Sequence, residues 1–255
     1  MGEIRYEARD GIARLVIDRP EKHNAITPDM AWALRDACRE VDRDDAVRVA
    51  IVSGGGEKSF SAGSDMNALA DLSDPWAFRN RIEYAAVVRD IRKPVIAALK
   101  GWVLGGGMEI ALAADIRIAG ESARIGGPEV TRGWVGGGGA SQMLPRLVGY
   151  GQAMRLLLTG EPVDATAALA MGLVEEVVPD AGLTDRVDAM AARIASFSPI
   201  ATQSVKAATR AALSMPLEAG LRYENEIHVI CMSAKDRQEG IQAFQEKRAA
   251  TFSGA

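Results

Sequence analysis

Two glutamates could move protons here: one stands where a carboxylate costs free energy unless it is paired or used, and the other projects from a stiffened loop. Glu109 follows the glycines of Gly105-Gly106-Gly107 and is set among Met108, Ile110 and Leu112, apolar company that disfavours a buried charge. Glu129 sits in Gly126-Gly127-Pro128-Glu129, ahead of the run Gly136 to Gly139. Pro128 fixes its own φ and biases Gly127 toward extended backbone, so Glu129 projects from a stiffened loop. Two such carboxylates facing one substrate can move protons on and off carbon or water. Each also has a plainer reading: Glu109 can simply complement a helix dipole, and Glu129 can be an exposed loop charge.

Two backbone segments offer the complementary function. In Phe60-Ser61-Ala62-Gly63-Ser64-Asp65-Met66 the residues are small, so a ligand carbonyl can reach main-chain N–H groups, as in an oxyanion hole. A tight turn with Asp65 capping the next helix explains the same residues. In Gly101 to Leu112 a buried strand breaks into glycines and then a helix. The free N–H groups and dipole of that helix start would stabilise an enolate oxygen at Gly106. Taken together, the three loops make a reaction centre in which carboxylates move protons while backbone donors hold the enolate. Other chemistries lack parts. His23 and His228 are the only histidines, no His/Cys cluster has metal-ligand spacing, and there is no GxSxG elbow,. The glycine runs match neither GxGxxG after an N-terminal strand nor a phosphate-binding loop ending in GK[ST].

The elements that must position these loops follow from periodicity. Residues 3 to 18 read as a hairpin around Asp10-Gly11, and Thr27 with Pro28 opens a helix through Val41,. Strands at 47 to 54, 95 to 101 and 115 to 119 alternate with helices around 77 to 91 and from Gly107, the rhythm of an α/β core with parallel strands and functional loops at strand ends. From residue 181 onward the pattern is almost purely helical. The expected division is a core over 1–195 carrying the active site and a helical region over 196–255 whose excess apolar face serves oligomerisation.

Bulk properties narrow the partners. The 255 residues carry a formal net charge of -4, with 48% hydrophobic and 25% charged residues, which gives no footprint for nucleic acid. No apolar run is long enough to cross a bilayer. Cys38 and Cys231 lack CxxC spacing and read as reduced packing residues. The opening MGEIRYEARDG enters strand-like alternation without a basic-then-apolar leader, so the expected compartment is the cytoplasm.

The stretches IDRPEKHNAI, KSFSAGSDM, GWVLGGGMEIALAADIRIA, GGPEVTRGWVGGGGASQMLPRLVG and DRQEGIQAFQEKRAATF resemble the crotonase superfamily, the enoyl-CoA hydratase/isomerase family, in the family's order and over nearly the whole chain. The resemblance implies an α/β spiral of ββα units with a helical C-terminal extension. It places the oxyanion donors on the backbone of Ser64 and Gly106, with the Ser64 side chain not required. Glutamate at both 109 and 129 implies a hydratase, Glu109 activating water and Glu129 protonating the α-carbon of an enoyl-CoA thioester.

The family also implies an acyl-CoA substrate and no tightly bound cofactor, coenzyme A arriving as part of the substrate. Its binding positions map to Lys22, Ala25, Ala62, Asp65 and Met66. Lys247 and Phe252 match positions that complete the site, sometimes from a neighbouring subunit of a trimer, and the implied assembly is a homotrimer or dimer of trimers. A solvated surface charge is the plainer reading of Lys247. Two departures stand out: Gly136 replaces a common proline, and Trp134 is bulkier than expected, so it is assigned to the acyl pocket. The nearest rivals are an isomerase or specialised acyl-CoA dehydratase on the same scaffold. A non-catalytic, RNA-binding relative is disfavoured because both glutamates are retained and the helix from Pro28 mixes acidic with basic residues,.

Overall fold

The computed structural model describes residues 2–71 and 74–255. The chain opens with β1 (Glu3–Arg9) and β2 (Ile12–Asp18), an antiparallel pair. Asp10 and Gly11 both take positive φ, 52° and 80°, as the two-residue turn between twisted strands demands. Helix α1 (Pro28–Arg43) starts where the Thr27 side chain accepts the Met30 N–H and Pro28 occupies the first turn, so the expected cap is the observed one.

Three ββ units follow. β3 (Val49–Gly54) leads to β4 (Ser59–Ser61), and then come α2 (Met66–Asp71), α3 (Pro75–Arg79) and α4 (Tyr84–Arg89). β5 (Val95–Leu99) leads to β6 (Trp102–Leu104) and α5 (Gly106–Ala113). β7 (Ile116–Gly120) leads to β8 (Arg124–Gly126), a 3-10 turn over Pro128–Arg132, and α6 (Ala140–Val148). Each long strand belongs to a six-stranded sheet, and each short one to a second sheet that contains β4, β6 and β8 as neighbours. The long strands β3, β5 and β7 are adjacent and parallel in their sheet. This repetition is the expected spiral of ββα units.

Two expected elements come out differently. The strand over 95 to 101 ends at Leu99, because Gly101 turns with φ 57° and its Cα lies against the Lys58 carbonyl, which no side chain would permit. That corner transfers the chain from one sheet to the other. The helix over 77 to 91 is two helices, since Asp74 caps α3 and the Glu83 carboxylate accepts the Ala85 and Ala86 N–H groups to start α4 afresh,.

The chain continues through α7 (Tyr150–Thr159), β9 (Val163–Asp164), α8 (Ala165–Ala170), β10 (Glu176–Val178) and α9 (Leu183–Ala195). The main core packs one face of the large sheet against α1, α4 and α5, with Leu15, Leu34, Val52, Val88 and Ile110 fully enclosed. Leu183, Val187 and Ala191 of α9 cover the other face at Val49, Ile96 and Ile118. Three helices complete the chain: α10 (Pro199–Ala211), α11 (Leu217–Ser233) and α12 (Lys235–Glu246). α10 is fastened to the core by Lys206 Nζ, 2.6 Å from Asp115 Oδ2 and 2.7 Å from the Lys93 carbonyl. Burial pushes the Lys206 amine down to about 8 despite the Asp115 charge,. α11 buries no residue of its own, and leaves Leu217, Leu221, Val229 and Ile230 exposed. Among the described residues no helix is long and apolar enough to cross a membrane.

Candidate active site

The exits of β4, β6 and β8 lie side by side, and each delivers one part of the site. After β4, the loop 62–65 is anchored by a parallel bridge between Ile26 and Ser64. Ile26 N–H donates to the Gly63 carbonyl at 2.8 Å, and Asp65 N–H donates to the Ile26 carbonyl at 2.9 Å. In a bridge of this kind the Ser64 N–H faces the opposite side, where Ser64 lines a cavity of ≈ 1200 Å³.

After β6, Gly106 begins α5, so its N–H has no acceptor within the helix,. The two donor segments are pressed together: a Cβ on Gly63, whose φ is 87°, would fall 2.7 Å from Gly106 N. Only glycine allows both that conformation and that approach. Ser64 and Gly106 therefore present main-chain donors to one cavity.

Every residue of α5 is buried, Glu109 included at 5% exposure. Its carboxylate has a second set of partners: Oε1 accepts the N–H of Gly138 at 2.7 Å and of Ala140 at 3.2 Å. The glycine run is thus a cradle. A Cβ at Gly136 would come within 2.7 Å of Glu109 Oε1, and one at Gly138 within 2.5 Å of Oε2. Gly136 and Gly138 let the loop close on the carboxylate.

After β8, the Pro128–Arg132 turn carries Glu129, whose Oε1 would lie 3.2 Å from a Cβ on Gly105. Glu129 thus stands over the start of α5. Burial raises both carboxyls above the ordinary glutamate range. For Glu109, the Ala140 and Gly138 N–H groups oppose the rise, and the charges of Glu129 and Glu83 add to it. For Glu129, its own N–H and the Arg132 charge oppose it. Carboxyls whose proton affinity is raised in this way suit acid–base work.

The cavity brings together Ser64, Gly106, Glu109, Glu129 and Trp134, and also Lys22, Ala25, Ala62, Asp65 and Met66. The Asp65 side chain is already engaged, pairing with Arg19 at 2.6 Å and accepting the Asn67 and Ala68 N–H groups as a helix cap. Its carboxyl is accordingly held below the usual range, chiefly by Arg19. Lys247 and Phe252 do not reach this cavity within one chain. Lys247 closes α12 in a left-handed conformation, and Phe252 lines a different cavity of ≈ 1280 Å³ between the core and α10 to α12.

Nothing in the sequence singles out Tyr84. Its hydroxyl lies 2.7 Å from Ser64 Oγ and occupies the space over Gly106. An aromatic residue in a helical run ordinarily signals core, and no sequence signal separates the two cases.

Backbone donors beside two protonatable carboxyls, with a cavity large enough for an acyl thioester, are an arrangement that can stabilise an enolate. A model of the enoyl-CoA hydratase/isomerase family matches residues 7–255. The chain belongs to that family. It is 37% identical to the (E)-benzylidenesuccinyl-CoA hydratase of Thauera aromatica over 254 residues, 99% of each chain. It is 38% identical to the crotonyl-CoA hydratase of Syntrophomonas wolfei over 256 residues, 98% of this chain and 97% of the relative. The solved enoyl-CoA hydratase from Bacillus anthracis superposes with a TM-score of 0.93 at 34% identity, covering 99% of this chain and 100% of that one. The crotonase fold expected from the motifs is the fold observed.

Proposed function

We infer that the chain is an enoyl-CoA hydratase, and the observation that carries this reading is the pair Glu109 and Glu129 lining one cavity with Ser64 and Gly106. The thioester oxygen accepts the Ser64 and Gly106 N–H groups, which draws electrons from the 2,3 double bond. Glu109 takes a proton from water as its oxygen bonds to the β-carbon. The electron pair of the double bond moves onto the thioester oxygen as an enolate. Glu129 then delivers a proton to the α-carbon, and the enolate collapses to the 3-hydroxyacyl thioester. Coenzyme A enters with the substrate, and no tightly bound cofactor has a part. Lys22, exposed at the cavity mouth, is assigned to the CoA phosphates, with Ala25, Ala62, Asp65 and Met66 beside it.

The names of the two hydratase relatives cover a small crotonyl group and a bulky aromatic one, so the acyl group is assigned through this chain's own wall, Trp134. The exposed apolar residues of α11, with Phe244 on α12 at 85% exposure, support a homotrimer or dimer of trimers in which Lys247 and Phe252 approach the cavity of a neighbour. The activity is assigned to the cytoplasm. A panel of enoyl-CoA thioesters of graded length and branching, followed by loss of conjugated absorbance and product identification, tests the reading. Formation of 3-hydroxyacyl-CoA supports it, and turnover to a shifted double bond without water addition rejects it.

A further inference from the structure

The Ser64 and Tyr84 hydroxyls form an isolated pair at the edge of the donor site. Their oxygens are 2.7 Å apart, and both residues line the cavity. Between them they carry two hydrogens, and one O–H···O bond uses only one. Among the described residues, neither hydroxyl has a further protein partner in the hydrogen-bond network, so the second hydrogen is left for whatever occupies the cavity. A phenol is the more acidic of the two and the better donor, whereas an aliphatic alcohol is the better acceptor. Burial raises the Tyr84 phenol above its ordinary range, the bond to Ser64 opposes the rise without cancelling it, and the Glu109 and Glu83 charges add to it, so the phenol stays protonated. The direction of the bond follows: Tyr84 Oη–H donates to Ser64 Oγ, and Ser64 Oγ–H remains unspent.

Position reinforces the point. Ser64 contributes the N–H of one backbone donor, and the Tyr84 hydroxyl lies against the Cα of Gly106, which contributes the other. The pair therefore flanks the place a thioester oxygen would occupy. We propose that Ser64 Oγ–H is a third donor to the thioester oxygen, oriented and polarised by Tyr84 acting as a positioning residue. A hydroxyl that accepts one hydrogen bond donates a stronger one, so the enolate gains a side-chain donor beside the two main-chain ones. This role rests on the hydratase reading for its kinetics but not for its binding signature.

The test compares Ser64→Ala, Ser64→Thr, Tyr84→Phe and the double variant Ser64→Ala/Tyr84→Phe. Two quantities are read: hydration kinetics, and the carbonyl stretching frequency of a bound enoyl-CoA thioester by difference Raman spectroscopy. Expected results are a fall in kcat of about tenfold for Ser64→Ala and for Tyr84→Phe, with KM little changed. The carbonyl band of the bound thioester should shift less than in the unaltered protein. The double variant should be no worse than Ser64→Ala, because both changes remove the same interaction. Ser64→Thr keeps the hydroxyl and should retain most of the shift. An unchanged carbonyl band in Tyr84→Phe and Ser64→Ala overturns the proposal, as do fully additive losses in the double variant. If the unaltered protein hydrates no thioester while the band shift still depends on both hydroxyls, the third donor stands and the hydratase reading falls.

Discussion

Glu109 carries two burdens that substitution can separate. Its Oε1 holds the Gly138 and Ala140 N–H groups, and its ionised carboxylate is the assigned water base. Glu109→Gln keeps a carbonyl oxygen for the cradle while removing the base, so kcat should fall by about 10²- to 10⁴-fold with the loop intact. Glu109→Ala removes both functions. Two buried donors lose a charged acceptor, at about 1–2 kcal/mol each, so stability should drop by about 2–4 kcal/mol. The charge itself works in the other direction. Because the folded-state pKa is raised, the native protein holds this proton more tightly than the unfolded chain does. The resulting stability is full below the ordinary glutamate range and is lost as pH rises through the folded-state value. At neutral pH, Glu109→Gln should therefore unfold no lower than the parent, and its stability should depend less on pH. Loss of conjugated enoyl absorbance gives kcat, and thermal unfolding from pH 4 to about pH 8 gives the stability profile. Hydration by Glu109→Gln within tenfold of the parent, or unfolding as low as Glu109→Ala, would refute this division of labour.

Glu129→Gln should also cripple hydration and flatten the pH dependence of stability, since burial raises its carboxyl too; the same two assays decide. In Gly106→Ala the new methyl meets the Tyr84 hydroxyl, and displacement of the donor should cost about 10²-fold in kcat, measured at saturating substrate. Trp134→Ala should move the chain-length profile toward longer or branched acyl groups, read as kcat/KM across a thioester series. Ile230→Asp places a charge on the exposed apolar side of α11 and should lower the mass found by sedimentation velocity.

Much of this architecture is legible where chemistry is local. Asp10-Gly11 announces its turn, and Thr27-Pro28 its helix start, because each side chain satisfies a requirement of its own backbone. Glu109 is legible because it is an acidic residue in apolar surroundings that penalise one, and Glu129 because Pro128 and the flanking glycines stiffen the loop that carries it. The short strands β4, β6 and β8 are not, since three residues carry no period. The break between α3 and α4 depends on Glu83 capping in preference to continuing a helix, a competition settled by tertiary packing. The glycine run after Trp134 shows that chain must come close to something, but only the fold reveals that the something is Glu109. The place of Tyr84 is set by the meeting of two loops distant in sequence.

The small sheet behaves like a row of pegs. β4, β6 and β8 stand next to one another, and each peg holds a different tool: the first donor after β4, the second donor with Glu109 after β6, and Glu129 after β8. Since the tools meet only in the cavity, exchanging the side chain at 109 or 129 leaves the two backbone donors where they are. Under the proposed function, enolate stabilisation is built into the frame and proton traffic is an attachment to it. An inactive Glu109 or Glu129 variant should accordingly remain a competent holder of thioesters, a starting point into which other proton-transfer groups can be fitted.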